Sequence, residues 1–332
     1  LETQGKWDGL SYLGAAGFTT HTISTVTRSF TDNVFAGRVV LGQQWRSFDV
    51  GAELDLRLRG YGGNGYPYTS LAGGADFVSD VMKAHANLGV QWASSSRGED
   101  RFGLRAVGQV YFFIRPSFTI QAHGSTGLRP INLQQLLEAN PYLSDTLVID
   151  APYDVADIGG VLLFHPLMRL SVSGGVRMRR SDRDAVWVPA ADHTFEPAYL
   201  STTRITVFGD VRWLASAQDA IVADLEFVSA TVDGHSTQPY VAPVLASIGH
   251  DRQWTPSLRS VATLMYVGQR FADLRNAEIL QSYVDIRLSG MYSFSQAFSV
   301  QAHVSNLLGS SFQLWSGYQE RGIFIRGGIP WK

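Results

Sequence analysis

The sequence contains no cysteine. Disulfide staples, thiolate metal sites and cysteine nucleophiles are therefore excluded. No stretch approaches the roughly 18 consecutive apolar residues that a membrane-crossing helix needs, and helical heptads are absent. Lysine is scarce, at Lys6, Lys83 and Lys332 only, which leaves 24 arginines among 27 basic residues. The formal net charge of -2 gives no basic surplus for a nucleic-acid partner. The Gly/Tyr-rich stretch Tyr61–Gly74 lacks the Gly-Lys-Ser/Thr of a phosphate-binding loop. The eight histidines are dispersed, with no pair at metal-ligand spacing on one face. His123 with Ser125 and His303 with Ser305 are near neighbours, but nothing supplies an oxyanion hole. From these absences we expect no catalytic residue, no metal and no cofactor, and we read the chain as a non-enzyme.

What the sequence does have is alternation. In Phe48–Tyr61 the even positions Phe48, Val50, Ala52, Leu54, Leu56 and Leu58 are all apolar. The odd positions carry Asp49, Glu53, Asp55, Arg57 and Arg59. Successive side chains of a strand point to opposite faces, so one face is hydrocarbon and the other charged. The same sense recurs around Arg101 and Arg105, around Arg204, Asp210 and Arg212, around Asp224 and Glu226, and around Asp285 and Arg287. Each run is about 10 residues, the length a tilted strand needs to cross a bilayer. Turning the 48–61 strand inside out would cost on the order of 5–10 kcal/mol, which fixes its register.

Repeated through 332 residues, this pattern predicts an all-β fold, a transmembrane antiparallel β-barrel with lipid outside and a polar lumen. Aromatic residues near strand ends, such as Trp45, Tyr61, Trp92, Tyr111, Trp213, Tyr266, Tyr292, Phe294 and Trp331, fit girdles at both interfaces. From residue 114 onward short turns alternate with longer segments at 126–152, 181–198, 233–239, 271–281 and 309–320. Before 114 the alternation falters, with 62–82 as the only long connection. About ten strands after 114 and four to six before it give 14 or 16. We expect one barrel domain over 1–332, with 1–30 supplying its first strands.

The charged positions named above are the candidate lumen lining, where fixed charge can select solutes or dock another protein. Candidate ligand or partner contacts in the loops are Tyr61, Tyr66, Tyr68, Leu136, Tyr142, Trp187, Trp315 and Tyr318. The segment Ile131–Leu143 is the one plausible helix, with Leu133, Leu136, Leu137 and Leu143 near helical spacing.

Two segments resemble the TonB-dependent receptors of bacterial outer membranes. The first contains Gly127, Leu128, Arg129 and Pro130, followed by Leu136 and the pair Asn140, Pro141. The second contains Asn306, Leu307, Gly317, Tyr318 and Gly322. The resemblance implies an integral protein of the bacterial outer membrane that passes or admits solute through a charged lumen. The alternative is a non-transporting anchor or scaffold for an envelope or surface assembly. The family's plug domain and TonB-engaging segment find no match in these residues, and a family barrel has more strands than this length allows. The implied partners are outer-membrane lipid and a separate plug, envelope or surface protein.

Overall fold

Where the sequence alternates, the computed structural model is extended, and it is helical in one short segment. It describes residues 2–7, 10–24, 29–45, 48–61, 64–144, 147–190, 193–234, 237–295 and 297–329. Trp331, and the side chains of Trp45 and Tyr61, lie outside what is described. The residues group into two compact units. The first comprises Leu1–Ile114, Ile120–Gly160 and Met178–Thr203; the second comprises Arg115–Thr119, Val161–Arg177 and Arg204–Lys332.

Within the first unit the chain runs through β1 (Glu2–Trp7), β2 (Leu10–Ser24), β3 (Ser29–Trp45) and β4 (Phe48–Tyr61). It continues through the two-residue β5 (Asn64–Gly65), β6 (Tyr68–Val78), β7 (Met82–Ser94) and β8 (Asp100–Arg115). Neighbouring strands pair antiparallel, β4 with β6 across the short β5. Pairing keeps each face pure. Gly14, Val39, Leu54, Leu71, Val90 and Leu104 lie side by side across six strands. The row on the other face reads Ala15, Arg38, Asp55, Ser70, Gln91 and Gly103.

Next come β9 (Phe118–Leu128), helix α1 (Leu133–Ala139), β10 (Tyr153–Leu167), β11 (Leu170–Pro189) and β12 (Phe195–Leu214). The second unit contains β13 (Asp219–Val232), β14 (Val244–Thr255), β15 (Leu258–Val267), β18 (Tyr283–Ser293), β19 (Ser299–Ser305) and β22 (Phe324–Gly328), paired antiparallel in that order. Its loops carry two small hairpins, β16 (Arg270–Phe271) with β17 (Ile279–Leu280) and β20 (Gln313–Trp315) with β21 (Tyr318–Gln319). A row of Ala223, Ile248, Leu264 and Ile286 repeats the apolar face.

Exposure follows the opposite rule to a soluble sheet. Leu71, Val90 and Leu104 stand 55%, 56% and 67% exposed on the apolar face. The side chains of Glu53 and Asp55 on the polar face are only 16% and 13% exposed. Water-soluble sheets bury the apolar face, so this hydrocarbon face requires a non-aqueous surrounding.

Three expectations change. Among the described residues the main-sheet strands number 18 counting β5, not 14 or 16. The excess lies before residue 114, where the expected long connection 62–82 contains β6; its Ala and Gly positions (Ala72, Gly73, Gly74, Ala75) hide the alternation. The expected long segment 181–198 is mostly strand, with only 190–194 between β11 and β12. The expected helix over 131–143 shortens to Leu133–Ala139. Its N-cap Asn132 and Gln135 form a capping box, and Pro141 follows the C-cap Asn140.

Candidate functional site

Two 20-residue strands, β11 and β12, are about twice as long as a bilayer crossing needs. Their apolar alternation covers 170–178 and 205–213. In the first unit the remaining half of β11 carries charge instead, that of β12 adds Tyr199 and Thr202, and there the connection 129–152 is held.

Asp150 is the centre of one ion cluster; its side chain is 2% exposed. Arg101 Nε donates to Asp150 Oδ1 at 2.9 Å, and Arg183 Nη2 donates to Oδ2 at 2.6 Å. Glu99 adds an outer partner to Arg101 at 3.2 Å. Arg183 is itself held at φ +62°, a conformation rare for a non-glycine residue. Beside this cluster, Asp184 accepts from Arg129 at 2.5 Å, Arg179 at 3.4 Å and Thr202 at 3.1 Å. Arg129 also lies 3.3 Å from Asp154. Arginine suits such shared carboxylates because its planar fork presents several donors.

An apolar cluster lies under the same connection: Tyr66, Ile131, Leu133, Leu136, Leu147 and Ile149, with Trp187 partly buried against it. Leu133 is fully buried. We expect Leu133→Ala to cost about 3 kcal/mol of local stability, read as faster hydrogen exchange in 131–149.

Gln91 closes the sheet end. It donates from Nε2 to Tyr68 Oη at 2.7 Å and accepts on Oε1 from Leu128 N at 2.6 Å. Gly127 has φ +146°, and a Cβ there would meet Gln91 Oε1 at 2.5 Å. The Gly127 and Arg129 of the family-like segment thus have physical reasons: room for Gln91, and a cation for Asp184 and Asp154.

The remaining polar-face positions of the first unit are laced together. Arg57 donates to Asp55 two residues away, as a shared strand face requires. Arg57 and Arg59 lie over the rings of Tyr68 and Tyr66 at 5.6 and 5.9 Å. Arg59 also donates to Ile131 O at 2.8 Å, and Arg105 to Ser70 at 3.2 Å. Glu53 pairs with Arg38 at 3.0 Å, while Asp49 is exposed opposite Asp76.

In the second unit, Arg204 approaches Gln238 at 3.5 Å, Ser173 donates to Asp210, and Ser247 donates to Asp224 at 2.8 Å. Glu226 and Arg212 are exposed. Asp285, buried, accepts from Arg287 at 2.6 Å and from the Asn306 backbone at 2.8 Å. Asn306, at φ +49°, then donates to Ser310 O and Arg321 O and so ties down the 306–323 connection. At the loop ends, Tyr283 at the start of β18 stacks on Phe312 at 4.0 Å, and Tyr240 meets Trp315 at 4.4 Å. Arg270 is buried beside them, donating to Gln313 O at 2.7 Å, and burial pushes its pKa down.

Of the loop candidates, Tyr66, Tyr68 and Leu136 are buried in the protein's own clusters, and Tyr68 belongs to β6. Tyr61 ends β4, its backbone opposite Asn64. Trp187 lies in β11, while Tyr142, Trp315 and Tyr318 are half-buried. Sequence reasoning missed Asp150, Asp154, Asp184, Arg183 and Arg270 as site residues, and placed Arg179 only on the polar face of its strand. For Arg183 the signal was charge continuing in register past Arg177 and Arg179, beyond the end of the apolar run.

No family model and no curated relative matches the sequence. Solved structures do. The FrpB iron transporter from Neisseria meningitidis is 8% identical, with a TM-score of 0.72 over 99% of this chain and 62% of its own. The copper transporter OprC is 10% identical, with a TM-score of 0.69 over 97% and 61%. A mutant ferric enterobactin receptor, PfeA of Pseudomonas aeruginosa, is 12% identical, with a TM-score of 0.66 over 99% and 60%. The chain thus spans about three-fifths of the structures it matches. Its fold is that of the barrel portion of the TonB-dependent receptors.

Proposed function

We propose that this chain is the barrel of a bacterial outer-membrane protein, one domain in the membrane, that passes or admits solute along its polar face. The observation that carries the reading is the inversion of exposure: leucines and valines face outward while carboxylates and guanidinium groups are shielded. A closed barrel is the sheet form that satisfies its backbone in lipid, and its polar face then lines a path for water and solute. Fixed charges of both signs on that face favour hydrophilic solutes over strong ion selectivity. Neighbours that carry transporter and receptor names support the reading, as does the barrel fold. Metal ions and their chelates are the solute class those names suggest.

The test is conductance of the purified chain reconstituted in a planar bilayer. We expect discrete steps, with open-channel current altered by Arg57→Glu on the polar face. Protein that inserts fully yet carries no current would replace passage with an anchoring role.

A further inference from the structure

The apolar face of β13, β14 and β15 ends in a group of polar side chains beside the turns 215–218 and 256–257. Cross-strand partners share a face, so His250 sits with Ile221 and Ala262, and Arg252 with Asp219 and Ser260. Trp254 is the extra residue of a bulge in β14, and its Nε1 donates to Ser260 Oγ at 2.8 Å. The Arg252 guanidinium lies over the Trp254 ring at 4.1 Å, which sets the plane of its fork.

The charges around Arg252 leave part of it unused. Asp219 Oδ1 comes within 3.6 Å of Arg252 Nε, but the same oxygen is engaged more closely by His250 Nε2 at 3.2 Å, and Oδ2 accepts from Ser216 Oγ at 2.8 Å. Arg252 Nε is buried and has no hydrogen-bond partner, so the donors open to a ligand are those of the Nη groups. Among the described residues, Nη1 and Nη2 make no hydrogen bond either. Arg259 pairs with Asp251 on the opposite face and does not compete. Next to this fork, a groove in the apolar face is lined by Ile221, Ile248, His250, Ala262, Leu264 and Ile286. The small Ala262 between larger neighbours leaves room along it.

We propose that this is a binding site for one anionic phospholipid. The Arg252 fork takes the phosphate-bearing headgroup, and an acyl chain lies in the groove. The proposal rests on the membrane reading above. An arginine that only reached interfacial water would show no headgroup preference and no groove occupancy. A planar fork with open donors matches phosphate oxygens, and the adjoining hydrocarbon channel selects a lipid over free phosphate.

The experiment uses the full chain in vesicles of phosphatidylcholine mixed with phosphatidylglycerol. Insertion is scored first, by protection from protease, and bound lipid is then counted by native mass spectrometry. We expect one phosphatidylglycerol retained per protein, and retention about five-fold weaker in Arg252→Gln, the effect of one arginine near a membrane surface. Ile248→Trp, which fills the groove and keeps the charge, should weaken retention as well. Inserted protein with no preference between the two lipids overturns the proposal, as does an unchanged preference in Arg252→Gln. Failure of the wild-type chain to insert would instead sink the membrane reading, and the lipid site with it.

Discussion

Replacing Asp150 by alanine is expected to unlock the connection 129–152. The Asp150 carboxylate is almost wholly shielded and is shared by Arg101 and Arg183. Its removal leaves two guanidinium groups facing each other with only the exposed Glu99 carboxylate beside them. Breaking a buried pair by deleting one partner costs about 3–5 kcal/mol, because the surviving charge stays desolvated. Both arginines keep some contact with water, which favours the lower end of that range. The neighbouring backbone ties do not compensate. Ile149 exchanges bonds with Ser96 at 2.7 and 2.9 Å, and the Asp150 amide donates to Tyr199 Oη at 2.9 Å, but all of these belong to the same short stretch. We therefore expect cleavage within 129–152 by an added protease to accelerate by about two orders of magnitude. Glu99→Ala is the matched control. Its side chain is 59% exposed, and removing it should change the same rate little, since exposed pairs contribute about 0–1 kcal/mol. Equal rates for wild type and Asp150→Ala would show that the apolar cluster alone holds the connection.

The legibility of this fold depended on how sharply each strand separates its faces. Residues 48–61 alternate charge against hydrocarbon, and the structure makes them β4 with those two faces. Residues 68–78 carry Ala and Gly at successive positions of both faces, so the period vanished and β6 was read as loop. The loss of one strand there also explains why short and long connections fell out of step before residue 114. A second miss had a different cause. Pattern reasoning looked for strands of about 10 residues, so β11 and β12, at 20 each, were cut where their apolar runs end. The expected long segment 181–198 takes in their remaining halves, and Arg183 and Asp184 with them. Asp150 could not have been found by period at all. It sits in irregular chain, and its partners come from β8 and β11, 49 and 33 residues away. The polar-face candidates, by contrast, required only that alternation continue, and Asp55 with Arg57 and Asp285 with Arg287 share faces as the spacing demands.

Placing a charge on the apolar face gives the sharpest test of what surrounds this sheet. Leu88 lies near the middle of β7, opposite Gly73 and Ala106, and is 69% exposed. In a water-soluble protein, arginine at so open a site would change stability by about 0.5 kcal/mol or less. At the midplane of a bilayer the same substitution costs about 2–4 kcal/mol, because the guanidinium loses its water and finds no anion in hydrocarbon. Leu88→Arg is therefore expected to lower stability in vesicles by about that amount, measured as a shift in urea-unfolding free energy. Glu226→Gln, an exposed position on the polar face of β13, should move it by less than about 1 kcal/mol. The contrast between the two positions matters more than either value. Loss confined to Leu88→Arg means that hydrocarbon covers the leucine face and water wets the other. A tolerated Leu88→Arg would mean that another protein surface or water lies against that face, and the case for a membrane would fail at its centre.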